Sequence, residues 1–312
     1  MNNSSPKISI VLPTYNGERW IADAIDSILV QTECSWELIV IDDASSDNTY
    51  KIVKQYADRD DRIRLIRNSV NRKLPASLNI GFRNARGKYY TWTSDDNRFK
   101  VDALEKLSDC LDNNSDVSLV AMNADVIDEN GVVLGTLDDH YRYKKRAEHL
   151  LFGSNVGAAF MYRKEAAQAV GDYDESLFCV EDYDYWMRFA ILFPIRYTED
   201  NVYEYRVHGG SLSATKKSLV RTRTLEVRSR YISAFIDRFE LKGFDAVVAY
   251  ARLPLRCIPC RYIIGAICLK LYKLGLKSIA QLVTFNSQRS KFLYARHALD
   301  DHFSFSELKK AV

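Results

Sequence analysis

The sequence predicts an α/β fold built on a largely parallel sheet, followed by a basic helical region. Two observations indicate the sheet. In the first hundred residues short β-branched runs alternate with amphipathic helical patterns, and acidic clusters follow two of those runs. A third observation, a helical pattern that begins at Lys216 together with a change of charge near residue 215, indicates the basic helical region. We therefore expect one α/β domain over residues 1–215 and a basic helical extension over residues 216–312.

The individual elements follow from hydrophobic periodicity and from the residues that end each run. Strands are predicted at residues 8–12, 38–41, 63–66 and 89–93, with helices at about 20–29, 47–57 and 75–85 between them. Ser46 or Asp47 is suited to cap the second helix, and Gly87 ends the third. Farther along we expect a hairpin around Asn130 and Gly131, a strand at 158–162 and a helix at 183–192.

The two predicted regions have opposite charge. Residues 1–215 have a net charge of −9 and residues 216–312 a net charge of +12, within a total of +3. A basic region predicts an anionic partner, and residues 255–282, where apolar residues alternate with Arg and Lys, suit the surface of an anionic membrane. The alternative is a helical subdomain that packs its apolar face on the acidic domain. No nucleic-acid-binding motif accompanies the charge, so we expect no nucleic-acid partner.

The sequence favours a cytoplasmic protein. Its amino end is polar, no run of 18 or more apolar residues lacks a charge, and its six cysteines are scattered. Cys257 and Cys260 have the spacing of a zinc or redox pair, but the apolar sequence around them and the lack of two further ligands favour two buried thiols. We predict a cytoplasmic protein that lies on the inner face of the cell membrane through its basic tail.

Asp95 and Asp96 are adjacent acids directly after a predicted buried strand. Neighbouring carboxylates raise each other's pKa, and a bound divalent cation removes that cost. Mg²⁺ and Mn²⁺ prefer oxygen ligands and share them with substrate phosphates, so few protein ligands are needed. A solvated surface loop is the alternative. The carboxyl ends of strands in open α/β sheets bind ligands, and this position favours a site.

Asp42 and Asp43 form a second acidic pair, after a neighbouring strand. A carboxylate there can accept a hydrogen bond from the imide N3–H of uracil or thymine, whereas it would face a lone pair on cytosine. Helix capping is the alternative, but Ser46 or Asp47 already supplies a cap. We therefore favour base recognition for one member of the pair.

Two further motifs lie beyond residue 180. Residues 181–186 place three acids at the start of a predicted helix, where the helix dipole alone would stabilise them. Asp182 is nevertheless a candidate general base, since transfer to a hydroxyl requires a group that removes its proton. His208 precedes Gly209 and Gly210, whose backbone can approach a phosphate or a metal closely. A hydrogen-bonded structural histidine is the alternative.

Taken in order, these motifs resemble the family 2 glycosyltransferases, which have the nucleotide-sugar-binding GT-A fold. The matching motifs are PTYN at 13–16, VIDDASSD at 40–47, NIG with ARGKY at 79–81 and 85–89, SDDN at 94–97, EDYDYW at 181–186 and YRVH at 205–208. They span roughly residues 7–213. Six motifs in order with compatible spacing are far more specific than any one of them.

The resemblance implies a fold, an activity and a role for each matched residue. The implied fold is the Rossmann-like mixed sheet of the GT-A type. The implied activity is inverting transfer of a sugar from a nucleotide-diphosphate donor, preferably a UDP-sugar, to a hydroxyl of a saccharide or lipid-linked saccharide. The resemblance implies Asp182 as the general base, and Glu181 and Trp186 on the acceptor side. It implies a donor site formed by Pro13, Tyr15, Asp43 and Asp95. Asp96 and His208 would bind Mn²⁺ or Mg²⁺.

The sequence departs from the family pattern at residues 71–75, where many relatives have a glycine near Lys73. We take Lys73 or Arg72 as a further contact to the donor phosphates, as a hypothesis.

Two rival functions use similar features. A nucleotidyltransferase also needs paired acids and a metal, but no glycine-rich, lysine-bearing triphosphate loop is present. An inactive GT-A-fold protein that binds carbohydrate or nucleotide would keep the fold alone. The joint presence of Asp43, Asp96, Asp182 and His208 argues against it. We predict an enzyme of bacterial surface polysaccharide synthesis.

Overall fold

A mixed nine-stranded sheet forms the centre of the computed structural model, which describes residues 5–137, 147–151 and 154–241. The strands are β1 (Ile8–Thr14), β2 (Trp36–Asp42), β3 (Ile63–Arg67), β4 (Tyr89–Trp92), β5 (Arg98–Phe99), β6 (Leu119–Ile127), β7 (Val133–Thr136), β8 (Ala159–Arg163) and β9 (Ile195–Arg206). The helices are α1 (Ile21–Leu29), α2 (Thr49–Ala57), α3 (Leu74–Arg83), α4 (Ala103–Asp112), α5 (Lys164–Val170), α6 (Glu181–Leu192), α7 (Leu212–Thr215) and α8 (Lys217–Arg238), with 3₁₀ turns at Ala147–Leu151 and Glu175–Leu177.

The order of the strands creates a crevice at one edge of the sheet. That order is β3-β2-β1-β4-β8-β6-β9-β5, with β7 paired to β6. β1 pairs in parallel with both β2 and β4, so the chain moves outward to β3 on one side and continues from β4 on the other. In open α/β sheets this reversal opens a crevice beyond the carboxyl ends of the two central strands. The crevice therefore lies between the ends of β1 and β4.

β1 and β2 form the best-buried part of the sheet. All seven residues of each strand are buried, as expected for parallel strands that crossover helices cover on both faces. α3 packs directly on β1, because a Cβ atom added to Gly81 would lie 2.3 Å from Val11 Cγ1. The close packing fixes the last turn of α3 against β1.

The second half of the sheet mixes directions. β8 runs antiparallel between β4 and β6, and β6 pairs in parallel with β9. β6 and β7 form the predicted hairpin, in which Gly131 has a φ of +85°. The α2 cap was predicted at Ser46 or Asp47, one or two residues before the observed cap position, Asn48. The helix begins after Asn48, although Asp47 Oδ1 still accepts a hydrogen bond from the Thr49 N–H at 3.0 Å.

The chain divides into two compact units. One comprises residues 1–141 and 156–220, and the other comprises residues 142–155 and 221–312. The division falls in the first turn of α8. In the second unit Val227, Ile232, Phe235 and Ile236 of α8 are buried. The predicted membrane-facing segment at 255–282 and the Cys257–Cys260 pair lie outside the described residues. Of the helices that the structure does describe, none has the length and apolar character to cross a membrane.

A buried carboxylate joins the strands at the opposite edge from the crevice. Glu37 of β2 accepts hydrogen bonds from Ser9 Oγ at 2.7 Å, from the Arg86 N–H at 2.7 Å and from Arg86 Nε at 3.0 Å. Arg64 of β3 adds a contact at 3.3 Å. Burial by itself raises the pKa of Glu37, but these hydrogen bonds outweigh it and hold the pKa below its ordinary value. Glu37 therefore links three strands and the α3–β4 loop.

Substitution of Glu37→Gln tests this link. We expect the free energy of unfolding at neutral pH to fall by about 1–3 kcal/mol, because charge-assisted hydrogen bonds are lost. Since the pKa of Glu37 is lowered in the folded state, its contribution is present above the ordinary Glu pKa of about 4.3 and is lost as the pH falls through the lowered value. The difference between wild type and variant in urea unfolding should shrink as the pH falls from about 6 to about 3.

The matched control is Glu105→Gln, at an exposed position of α4 where the carboxylate accepts a hydrogen bond from Thr32. It should leave both the stability and its pH dependence unchanged. A Glu37→Gln variant that keeps the wild-type pH dependence would contradict the assignment.

Candidate functional site

Asp95 lies in the crevice, directly beyond β4, against the loop that follows β1. Thr14 Oγ1, at the end of β1, donates a hydrogen bond to Asp95 Oδ2. The approach leaves no room for a side chain at Gly17, where a Cβ atom would lie 2.2 Å from the same oxygen. Burial, together with the negative charge of Asp96, raises the pKa of Asp95 to about 7. The two acids are therefore costly to ionise together unless a cation lies nearby.

Asp96 faces the end of β9 and pairs with the predicted histidine. Its Oδ2 lies 2.9 Å from His208 Nε2, and its Oδ1 is buried and has no hydrogen-bond partner. The His208 ring packs against the Trp20 ring, with centroids 4.6 Å apart. A buried carboxylate oxygen without a donor is an expected ligand position for a cation, so this pair fits a divalent metal. The described part of the chain contains no group of three or more His, Cys, Asp or Glu side chains that could form a complete metal site.

Asp43 receives three hydrogen bonds from the β3–α3 region. Oδ1 accepts from Asn68 Nδ2 at 2.7 Å and from the Arg72 N–H at 2.8 Å, and Oδ2 accepts from the Lys73 N–H at 2.9 Å. An ionised carboxylate has about four acceptor positions, so one on Oδ2 remains. Asp43 therefore has a fixed orientation and capacity for one further donor.

Asp42 has a different environment, although it is the neighbouring acid. Its side chain is fully buried, Arg67 Nε lies 3.0 Å from Oδ2, and the Ser45 N–H donates to Oδ1 at 3.0 Å. These contacts hold the loop between β2 and α2. Of the two acids for which a single functional role was predicted, Asp42 is paired with the Arg67 guanidinium, whereas the donors to Asp43 are uncharged.

Lys73 has a backbone conformation that is almost restricted to glycine. Its φ is +72° and its ψ is 165°, and α3 begins at the next residue. Such a conformation costs a non-glycine residue about 1–3 kcal/mol. The strain turns the Lys73 N–H toward Asp43 and leaves the side chain exposed, with Nζ 6.0 Å from the centre of the Phe178 ring. The departure from the family pattern thus coincides with a strained residue at the candidate site.

Pro13 and Tyr15 lie on either side of the end of β1. Pro13 is buried and pairs with Ile41, whereas Tyr15 has 51% of its surface exposed beside the crevice. Only Tyr15 therefore presents a side chain that a planar base could contact directly.

The predicted base, Asp182, lies in the first turn of α6. It is half-buried, Oδ1 accepts a hydrogen bond from the Tyr183 N–H at 2.7 Å, and burial raises the pKa of its carboxyl. Glu181, the first residue of α6, is only 3% exposed. A raised pKa makes Asp182 a stronger proton acceptor than an ordinary carboxylate.

Trp186, one turn after Asp182, is fully buried. Its ring centroid lies 4.7 Å from that of Phe160 in β8, which in turn lies 5.7 Å from that of Trp92 at the end of β4. This aromatic contact places the first turns of α6 over the end of β4. Trp186 was predicted to shape the acceptor side. Because its side chain is fully buried, it can affect an acceptor only indirectly, through the residues that pack against it.

Several residues of the site were not singled out from the sequence: Thr14, Gly17, Trp20, Asn68 and Arg206. Thr14 is part of the first motif, Gly17 directly follows it and Arg206 is part of the last one, so all three had a signal in the sequence. Asn68 had none, because a polar residue after a strand is common in any loop.

Comparison with known proteins adds a family and a fold. The family model described as "Glycosyl transferase family 2" matches residues 9–171. An uncharacterised glycosyltransferase of Rickettsia prowazekii is 30% identical over 221 residues, which are 69% of this chain and 68% of that protein. The putative glycosyltransferase EpsE of Bacillus subtilis is 43% identical over 131 residues, 42% of this chain and 47% of EpsE.

Solved structures share the fold at low sequence identity. TarS of S. aureus in complex with UDP matches with a TM-score of 0.61 at 16% identity, covering 95% of this chain and 89% of TarS. The mannosyltransferase PcManGT of Pyrobaculum calidifontis, in complex with GDP-Man and Mn²⁺, matches with a TM-score of 0.58 at 17% identity, covering 96% of this chain and 86% of PcManGT. These matches confirm the predicted GT-A fold.

The contact between Asp95 and Gly17 can be tested by adding one methyl group. We expect Gly17→Ala to lower the free energy of unfolding by about 1–3 kcal/mol, because the new Cβ must displace Asp95 or Thr14. Gly209→Ala is the control, since nothing lies within 4 Å of a Cβ atom there. Urea unfolding of the two variants measures the difference. Equal stability of both variants would show that the loop after β1 can shift to accommodate the methyl group at no cost in stability.

Proposed function

Since this chain belongs to the family 2 glycosyltransferases, we propose that it transfers a sugar from a UDP-sugar donor to a hydroxyl of a saccharide or lipid-linked saccharide, with inversion at the anomeric carbon. The observation that supports a working enzyme is the Asp96–His208 pair, whose buried, unpartnered oxygen lies in the crevice between β1 and β4. A protein that had kept only the fold would have no reason to keep a carboxylate oxygen buried without a donor.

The donor base would bind beside Asp43. The remaining acceptor position on Oδ2 fits the imide N3–H of uracil, and the exposed ring of Tyr15 can pack on the base, with Pro13 behind it. TarS is described with UDP and with UDP-GlcNAc, which supports uridine. PcManGT is described with GDP-Man, so the fold also accepts another base.

A divalent cation, Mn²⁺ or Mg²⁺, would be held by Asp96 and His208 and would offset the charge that develops on the departing diphosphate. Asp95, which is adjacent to Asp96 and accepts a hydrogen bond from Thr14, would contact the ribose of the donor. Lys73, with its side chain in solvent at the start of α3, adds a positive charge for the phosphates.

The acceptor hydroxyl loses its proton to Asp182 as its oxygen attacks the anomeric carbon from the side opposite the diphosphate. A single displacement of this kind inverts the configuration, so an α-linked donor gives a β-linked product. Glu181 and the buried Trp186 hold the first turn of α6, from which Asp182 reaches the acceptor.

The biological setting that we propose is synthesis of a bacterial cell-surface polysaccharide. TuaG of Bacillus subtilis, named as a putative teichuronic acid biosynthesis glycosyltransferase, is 35% identical over 106 residues, 34% of this chain and 42% of TuaG. The net charge of +12 over residues 216–312 supports contact with an anionic membrane surface, where a lipid-linked acceptor would be found.

The role of Asp182 can be tested by measuring the rate of UDP release from a panel of UDP-sugars in the presence of Mn²⁺. We expect Asp182→Asn to lower kcat by about 10²–10⁴-fold while UDP affinity stays unchanged, since the base acts only on the attacking oxygen. Because burial raises the pKa of Asp182, wild-type activity should rise with pH through a value above the ordinary range for Asp.

Asp58→Asn is the matched control, because Asp58 is an exposed carboxylate paired with Lys54 at the end of α2. It should leave kcat unchanged. An Asp182→Asn enzyme with wild-type kcat would remove the proposed base. NMR that shows retained anomeric configuration in the product would contradict the single displacement.

The proposed phosphate contact of Lys73 is separable from its backbone strain. Both Lys73→Ala and Lys73→Gly should weaken UDP binding by about 1 kcal/mol, roughly fivefold, with kcat unchanged. Only Lys73→Gly relieves the strained φ, so we expect it to be more stable than Lys73→Ala by about 1 kcal/mol. Calorimetric titration with UDP and urea unfolding measure the two effects.

Lys51→Ala, which removes an exposed lysine of α2, is the control for a general loss of positive charge. UDP affinity that is the same in the Lys73 variants as in the Lys51 variant would exclude a phosphate contact. Equal stability of the two Lys73 variants would show that the backbone there is not strained.

A further inference from the structure

Arg206, the last residue of β9, has a buried guanidinium for which the proposed reaction has no use. The residue is 2% exposed. Nε donates a hydrogen bond to the Asp96 carbonyl at 2.8 Å, and Nη1 donates to the carbonyls of Asp128 and Glu129, each at 3.1 Å. One side chain thus joins the backbone of Asp96 to the tip of the β6–β7 hairpin.

The guanidinium is in a place that is unfavourable for a positive charge. Burial and the nearby Arg98 lower the pKa of Arg206. The remaining nitrogen, Nη2, lies 3.5 Å from Asp23 Oδ2 without a hydrogen bond. A guanidinium nevertheless offers five donors in a fixed plane, which no neutral side chain can supply to three carbonyls at once.

Trp20 extends the same arrangement to the histidine. The Arg206 guanidinium lies 5.3 Å from the centre of the Trp20 ring, and the centroid of the His208 ring lies 4.6 Å from that of Trp20. Trp20 Nε1 also donates to the Glu129 carbonyl at 3.3 Å. Arg206 therefore contacts the backbone of one member of the Asp96–His208 pair and the aromatic ring that packs against the other.

We propose that Arg206 is a positioning residue for the divalent cation site, acting on Asp96 through its carbonyl and on His208 through Trp20. This inference rests on the proposed function, in which Asp96 and His208 hold the cation. Contacts behind a metal ligand fix its orientation, and their loss typically lowers metal affinity about 10–100-fold. Arg206 itself contacts backbone carbonyls, an indole ring and the Asp23 carboxylate, so it acts on the cation only through other residues.

The test measures Mn²⁺ binding to the full chain directly, by electron paramagnetic resonance in the presence of UDP. We expect Arg206→Lys to weaken Mn²⁺ binding about 10–100-fold, because a single ammonium cannot bond three carbonyls in a plane. Trp20→Leu, at a half-buried position, should weaken it in the same direction. UDP affinity without metal should be the same in both variants as in the wild type.

A matched control distinguishes positioning from general stability. Arg163 of β8 also donates to three backbone carbonyls, those of Val117 at 2.8 Å, Leu111 at 2.6 Å and Asn114 at 3.1 Å. It pairs with the first residue of β4, at the far end of that strand from the crevice. Arg163→Lys should lower the melting temperature and leave Mn²⁺ affinity unchanged.

Asp96→Asn supplies the reference for the site itself. If it binds Mn²⁺ as the wild type does, the proposed cation site is wrong and this inference fails with it. If it loses Mn²⁺ while Arg206→Lys keeps wild-type affinity, only the role of Arg206 is overturned. A loss of Mn²⁺ affinity in Arg163→Lys equal to that in Arg206→Lys also overturns the role of Arg206. Should thermal melting show that Arg206→Lys does not fold, Trp20→Leu decides: weaker Mn²⁺ binding supports the proposal and unchanged binding overturns it.

Discussion

The parallel pairing of β1 with both β2 and β4 is the constraint on which the rest of the structure depends. It brings the ends of three strands to one edge, and each of those ends is followed by acidic or polar residues. Thr14 then holds Asp95 across the crevice, and Gly17 allows the close approach that this hydrogen bond needs. The sheet thus places two neighbouring carboxylates where water is partly excluded and their mutual repulsion is largest.

Strain and buried charge accumulate around this edge. Lys73 adopts a backbone conformation suited to glycine, and its N–H completes the set of donors to Asp43. Asp96 has a buried oxygen without a donor, and Arg206 is buried behind it. Each of these features is unfavourable for folding by itself. Their concentration in one crevice is typical of a site at which binding, rather than stability, has determined the residues.

The opposite edge of the sheet shows the contrast. There Glu37 is also a buried carboxylate, but Ser9, Arg64 and Arg86 satisfy it from three sides. The pKa of Glu37 is lowered, whereas the pKa of Asp95 is raised to about 7. A buried carboxylate is therefore favoured in its ionised form at one edge and disfavoured in that form at the other.

Hydrophobic periodicity alone predicted the first four strands and the helices between them. Parallel strands covered by helices appear in the sequence as short apolar runs, and the helices between them appear as amphipathic segments. The order of the motifs then indicated the family, and with it the residues on which the site is built. The boundaries shifted by at most two residues: α2 begins at Thr49, and α6 at Glu181 rather than at Tyr183. The hairpin was predictable from Asn130 and Gly131, since a turn with a positive φ needs such residues.

Tertiary structure decided what depends on contacts between residues far apart in the chain. Residue chemistry alone did not separate Asp42 from Asp43, and only the family resemblance favoured Asp43. The donors from residues 68–73 and the Arg67 contact give the two acids their different surroundings. The burial of Trp186, the strain at Lys73 and the carbonyl contacts of Arg206 are likewise set by neighbours from other elements. Local sequence specifies which residues can ionise or bond, whereas the packing of strands specifies which of them remain unsatisfied, and it is the unsatisfied groups that define the site.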